Sequence, residues 1–267
     1  MHTKLCIKIV LVGVVVMKRI KKILYYCTSF IILLLIIYLA SNIIKDKYYL
    51  KEYNEINKII TKEELNITQN SNKSTNITTT SSTKSNNTIN DYRNYYNNDE
   101  IVGILSIPNS NFSQILVQTT NNNYYLDHLL NKQKNKLGAA FVDYRTNLNN
   151  SKKINIYGHN NGTNSISFNI LMNYLDKTYY ENHKLIQIKT ENAVETYEIF
   201  SIEITNNNKH MQVDFSDIKW YLYLESIINN SIYNTNIKID DITKTITLQT
   251  CTNNNDDSFL LIHGRKI

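Results

Sequence analysis

From Ile23 to Ile44 the chain carries no charged side chain and is dominated by isoleucine and leucine. At about 1.5 Å of rise per residue, such a run forms a helix long enough to cross a hydrocarbon core of roughly 30 Å. It predicts a transmembrane helix. Lys18, Arg19, Lys21 and Lys22 precede it closely, so the positive-inside rule places residues 1–22 in the cytoplasm and the C-terminal part outside. Tyr25, Tyr26, Tyr38, Tyr48 and Tyr49 include candidates for interfacial anchors. The rival reading is a cleaved secretory signal. The run is longer than a signal's apolar region, however, and Leu39-Ala40-Ser41 is a weak cleavage site, so an uncleaved anchor over residues 23–44 is expected. Ile9 to Val16 is too short to span and is cut off from the main run by basic residues, so translation is expected to start at Met17.

The formal charge of +6 owes much to that N-terminal cluster, which orients a membrane segment and does not suggest a nucleic-acid footprint. With 42% apolar and 10% aromatic residues the remainder can build one good-sized core. Residues 45–65 have spaced apolar positions, Tyr49, Leu50, Tyr53, Ile56, Ile59 and Ile60, that fit a juxtamembrane helix acting as a spacer. Residues 66–90 are almost wholly Asn, Ser, Thr and Lys. They bury too little to offset chain entropy and read as a flexible linker.

From Asp91 to Ile267 the pattern becomes short β-rich runs: Ile101–Ile107, Ile115–Gln118, Ala139–Asp143, Ile154–Tyr157, Lys184–Thr190, Thr196–Glu203, Thr243–Thr250 and Phe259–His263. Eight runs with irregular connections predict a mainly β fold, a closed or nearly closed barrel, and a closed eight-stranded barrel is the form expected. Two insertions read as helical, Ile166–Leu175 and Ile218–Ile232. In the second, Trp220, Leu222, Leu224, Ile227 and Ile228 recur at near-helical spacing and are expected to cover core.

Of three cysteines, Cys6 and Cys27 lie in or beside the apolar N-terminal runs, which leaves Cys251 alone in the polar remainder. Cys251 ends the β-prone run Ile246 to Thr250 and precedes the polar loop Thr252 to Asp257. A thiol there is either structural and buried or a nucleophile, and the second requires a nearby cation or base that favours the thiolate. His159 likewise follows the strand Ile154–Tyr157, in Tyr157-Gly158-His159-Asn160. It is either a satisfied surface or core histidine or an acid/base group. Barrels collect strand ends from distant sequence at one rim, where a thiol and an imidazole can meet. His159, Cys251 and His263 contain no close-spaced ligand pair, so no metal site is expected, and no cofactor.

The order strand-Tyr157-Gly158-His159-Asn160, then strand-Thr247-Leu248-Gln249-Thr250-Cys251, resembles the sortase pattern of catalytic histidine and cysteine. Further matches fall in the same order: Val102 to Pro108, Val117-Gln118, Asn123 to His128 and Gly138 to Arg145. These, and the helical insertion ending Ser231 to Thr235, are similar to class B sortases. The resemblance implies a membrane-anchored cysteine transpeptidase of the sortase barrel fold in a Gram-positive bacterium. Cys251 would attack the carbonyl after the threonine of a C-terminal sorting motif on a secreted protein, and a cell-wall precursor amine would resolve the thioester. His159 would serve as acid and base. The partners implied are sorting-signal proteins, the peptidoglycan amine and the membrane, with no nucleic acid.

Sortases of this kind carry an arginine at the start of the last strand, where it stabilises the oxyanion or holds substrate. Here that position is read as Ser258, and Arg265 lies too far along the strand to substitute. The missing arginine raises a second reading, a very slow or non-catalytic sortase-fold module that binds sorting signals. Arg145 is read as structural. Papain-like and L,D-transpeptidase chemistry is disfavoured by the absence of contexts such as Ser-His-Gly-Cys.

Overall fold

The computed structural model describes residues 2–71, 88–160, 168–206, 211–238, 240, 242–252 and 258–267. Two compact units are present, Met1–Glu52 and Tyr53–Ile267. Helix α1 runs His2–Ser71. Within it, residues 17–60 include a window of mean hydropathy 2.4 with none of its surface buried, and this is a candidate membrane span. The helix continues past Leu65, where the sequence suggested a linker would begin, and residues 72–87 of that linker lie outside the described residues. In the second unit Tyr53 and Ile60 are buried, and the Tyr53 hydroxyl hydrogen-bonds the Gln114 side chain. The part of the expected spacer at Tyr53 and Ile60 is therefore packed into this unit.

Helix α2, Ile89–Tyr96, was hidden in Asn-rich sequence and is started by a capping box. The Thr88 side chain accepts from the Asp91 backbone N–H, and the Asp91 carboxylate accepts from the Thr88 N–H at 2.7 Å. Asn97 closes it in the left-handed region that Asn tolerates (φ 49°). Its buried residues, Ile89, Tyr92 and Tyr96, lie on one side.

The strands are β1 (Ile101–Ile107), β2 (Phe112–Val117), β3 (Phe141–Val142), β4 (Lys153–Tyr157), β5 (Leu185–Lys189), β6 (Val194–Thr205), β7 (Thr245–Cys251) and β8 (Phe259–Lys266). They close a barrel in the order β1-β2-β3-β4-β7-β8-β6-β5, as the eight β-rich runs predicted. Closure removes both sheet edges. The expected insertion Ile166–Leu175 is a 3-10 helix over Phe168–Leu175, followed by α3 (Lys177–Asn182). Residues 161–167 lie outside the described set. The second insertion is α4, Asp217–Asn229.

Strand alternation decides which side chains fill the barrel and which face out. Leu105, Ile107, Leu116, Ile154, Ile156, Ile246, Leu248, Leu260 and Ile262 belong to the interior cluster. On β4, β7 and β8 the intervening residues therefore face outward: Lys153, Asn155 and Tyr157; Thr245, Thr247, Gln249 and Cys251; Phe259, Leu261 and His263. Helix α4 covers part of this outer face, packing Trp220, Leu224 and Ile227 with Phe200 and Ile242. The expected core-covering role of Trp220, Leu224 and Ile227 holds, whereas Leu222 is 56% exposed.

Candidate active site

The two strand ends singled out in the sequence meet because β4 and β7 are parallel neighbours, in register from Lys153 with Thr245 to Tyr157 with Gln249. Parallel pairing carries both chains off the sheet at the same rim. The backbone stays coupled there: Gly158 N–H donates to the Gln249 carbonyl at 3.1 Å, and the Thr250 hydroxyl donates to the Gly158 carbonyl at 2.8 Å. Just beyond, the Asn160 carboxamide donates to the Cys251 carbonyl at 2.9 Å.

His159 and Cys251 line one pocket of about 260 Å³, walled also by Leu126, Phe141, Tyr157, Met211 and Phe259. The thiol residue is exposed, which removes the buried structural reading of Cys251. The imidazole is held by its Nε2, 2.7 Å from the Leu126 carbonyl. A carbonyl only accepts, so Nε2 carries the proton and Nδ1 is left to exchange one. Two glycines make room for this. A Cβ on Gly158 would sit 2.6 Å from the Phe168 ring. Gly138, at φ +62°, would place one 3.0 Å from His159 Cδ2.

Beneath the pocket lies a polar network. The fully buried Asp143 carboxylate accepts from the Arg145 backbone N–H (2.9 Å), Nε (2.9 Å) and Nη2 (2.7 Å), and from the Tyr157 hydroxyl at 2.7 Å. Burial opposes its charge, but the hydrogen bonds from Arg145 and Tyr157 outweigh that and hold its pKa below the usual carboxylate range. Burial and the Asp143 hydrogen bond push the Tyr157 phenol upward, so it stays a donor. Arg145 also donates to the Met211 carbonyl at 2.8 Å, tying the pocket wall to the same network. Arg145 is thus a structural residue, as the sequence suggested.

Lys153 and His263 were not singled out as a buried pair, and nothing in their sequence context marks them. Both are fully buried on the outer face under the α4 side. Burial pushes the Lys153 ammonium down to about 7. Its Nζ donates to the Gln212 carbonyl at 2.9 Å and lies 4.4 Å from the Tyr223 ring centre. Burial also lowers the His263 pKa, against the pull of Glu203, whose carboxylate is 3.4 Å from Nε2. Among the described residues no cluster of three metal-ligating groups occurs.

The register corrects the reading of the missing arginine. Cys251 pairs directly with Phe259, and both line the pocket. Ser258 is buried, its hydroxyl is in hydrogen-bond contact with the Thr252 hydroxyl, and it is not a pocket wall. The side chain next to the thiol on the last strand is therefore Phe259, where a cation would have to stand. Arg265 pairs with Thr245 at the far end and is bound to Glu198 at 2.8 Å, so it does not substitute. Residues 253–257 of the adjoining loop lie outside the described set.

The structure is thus a closed eight-stranded barrel with a thiol and an imidazole lining one pocket at its rim. The family model described as Sortase domain matches residues 105–266, more than half of the sequence, and the chain belongs to the sortase family, in its class B branch. Members of that family are cysteine transpeptidases that attach proteins to the cell wall. The chain is 32% identical over 162 residues to sortase B of Listeria monocytogenes, covering 60% of this chain and 65% of that protein. It is 27% identical over 157 residues to sortase B of Staphylococcus aureus, covering 58% and 64%. It thus spans slightly under two thirds of the length of these relatives. The crystal structure of Clostridium perfringens sortase B is similar with a TM-score of 0.60 and 25% identity, covering 67% of this chain and 98% of that one.

Proposed function

We propose that this chain is a membrane-anchored cysteine transpeptidase. In this reading it cleaves a C-terminal sorting motif on secreted proteins and transfers them to a cell-wall amino group. The observation that carries the reading is the placing of Cys251 and His159 in one pocket by the parallel β4–β7 pair.

Cys251 attacks the scissile carbonyl as its thiolate, giving a tetrahedral oxyanion. His159, protonated at Nδ1 while Nε2 is held by the Leu126 carbonyl, gives a proton to the departing amine. The thioester that remains is attacked by the incoming amine, whose proton returns to Nδ1. Residues 23–44 anchor the enzyme, with the cytoplasmic basic cluster on one side and the barrel on the outer surface, in keeping with a Gram-positive wall.

Phe259 beside the thiol favours a second reading, a module that holds sorting signals and turns them over slowly or not at all. One experiment separates the two. The full chain in detergent micelles is mixed with a library of Asn-Pro-x-Thr-like and related Pro-x-Thr peptides plus an amine nucleophile, alongside Cys251→Ala and His159→Ala. Thiol-dependent cleavage that both variants abolish supports the enzyme. Tight peptide binding with no cleavage supports the binding module. Cleavage unaffected by Cys251→Ala sinks the proposal.

A further inference from the structure

Gln249 sits two residues before Cys251 on the same outward face of β7, roughly 7 Å from it at about 3.3 Å per residue. It lines the same pocket, with Tyr157 paired beside it on β4 and Leu261 on β8. The residue is 7% exposed, and among the described residues its Oε1 has no hydrogen-bond partner. The flanking residues do not supply one: the Tyr157 hydroxyl is committed to Asp143, and Leu261 is apolar.

A buried carbonyl oxygen without a donor costs free energy in the unliganded protein. That cost is recovered when a ligand brings the donor. The terminal torsion of glutamine is broad and roughly two-fold, so the carboxamide can turn Oε1 toward the pocket at little cost. The surrounding walls, Phe141, Tyr157, Met211 and Phe259, are largely apolar, and apolar surroundings strengthen such a bond.

We propose that Gln249 is a substrate-recognition residue, its carboxamide oxygen accepting a hydrogen bond from an amide N–H of the peptide close to the scissile bond. The inference rests on the transpeptidase reading for the identity of the peptide, but not on turnover. At about 3.3 Å per extended residue, the spacing from Cys251 puts that N–H within two residues of the bond attacked. The donor is either a backbone N–H or a side-chain carboxamide, and both present the same group.

The test is fluorescence-anisotropy binding of labelled sorting-motif peptides to full-length Cys251→Ala in detergent micelles, with and without Gln249→Leu. In one peptide series each non-proline backbone amide near the scissile bond is N-methylated in turn. In another, each side-chain carboxamide is replaced by an apolar group. Gln249→Leu is expected to bind the parent peptide about tenfold more weakly. One peptide change is expected to cost a similar factor in the Gln249 protein and to cost almost nothing once Gln249→Leu is present. Whether it is the methylated amide or the lost carboxamide identifies the source. Gln249→Glu, which keeps the acceptor, should bind within about threefold of the parent. Gln249→Leu should also melt no lower, because it removes an unpartnered buried oxygen, whereas a purely structural glutamine would leave a less stable protein. The proposal is overturned if Gln249→Leu binds as tightly as the parent protein, if the two penalties add, or if no sorting-motif peptide binds at all. Absence of a thioester in the Cys251 protein, with the binding pattern intact, would refute the transpeptidase reading and leave this one standing.

Discussion

Replacing Asp143 by alanine removes the anchor of the network under the pocket. The carboxylate is fully buried and takes four hydrogen bonds, three from Arg145 and one from the Tyr157 hydroxyl. Breaking a buried charge pair by removing one partner costs about 3–5 kcal/mol. Arg145 is 36% exposed and rehydrates in part, which places the expected loss near the lower end, about 3 kcal/mol. With a urea m-value of about 2 kcal/mol/M, the unfolding midpoint should fall by about 1.5 M. Trp220 is the single tryptophan and is one of the buried residues of α4, so its fluorescence reports the unfolding of the barrel's outer layer. The loss also depends on pH in a definite direction. The folded pKa of Asp143 lies below its unfolded value of about 3.9, so its contribution is complete above about pH 4 and disappears as pH falls through the lower folded value. The gap between wild type and Asp143→Asn should therefore be constant from pH 5 to 7 and shrink below about pH 4. A midpoint shift under about 0.3 M, or a gap that widens in acid, would refute the assignment of Asp143 as a charged anchor.

Other consequences follow from the same geometry. Phe259→Arg puts a guanidinium beside Cys251 and should raise the rate of sorting-peptide cleavage by about 10–100-fold, somewhat less than the cost of removing an oxyanion donor. Ser258→Arg should give no such gain, because that side chain points to Thr252, and competition kinetics would show the difference. Gly158→Ala forces a methyl against the Phe168 ring and should cost about 1–3 kcal/mol in thermal denaturation while reducing activity through the neighbouring His159. Lys153 titrates near pH 7 when folded and near 10.4 unfolded, so the unfolded chain binds the extra proton in between. Wild-type stability should rise from pH 7 to 9, and Lys153→Met should flatten that rise in urea titrations.

The barrel could be read in the sequence because its strands are β-prone runs with clear punctuation, and the ends at His159 and Cys251 fell at strand-to-loop boundaries. What could not be read was register. The distance from Cys251 to the last strand depends on how the intervening loop is folded, so counting residues assigned Ser258 to a place that pairing gives to Phe259. Burial of polar residues on the outer face was equally hidden. Lys153 looks like an ordinary residue entering a strand, and only the packing of Tyr223 and the chain at Gln212 over it creates its dry site. Helix α2 was missed because its stability comes from the Thr88–Asp91 capping box and three buried side chains, which compositional bias toward asparagine obscures.

In the proposed reaction Cys251 becomes acylated by a sorting-motif peptide with His159 as its proton donor. Intact-mass measurement of the full chain after incubation with the peptide tests it most directly. The expected result is an added mass equal to the acyl fragment, located on Cys251 and released by an amine, that is absent in Cys251→Ala and abolished or strongly slowed in His159→Ala. A protein that never gains that mass with any peptide of the library, or an adduct that survives Cys251→Ala, would contradict it.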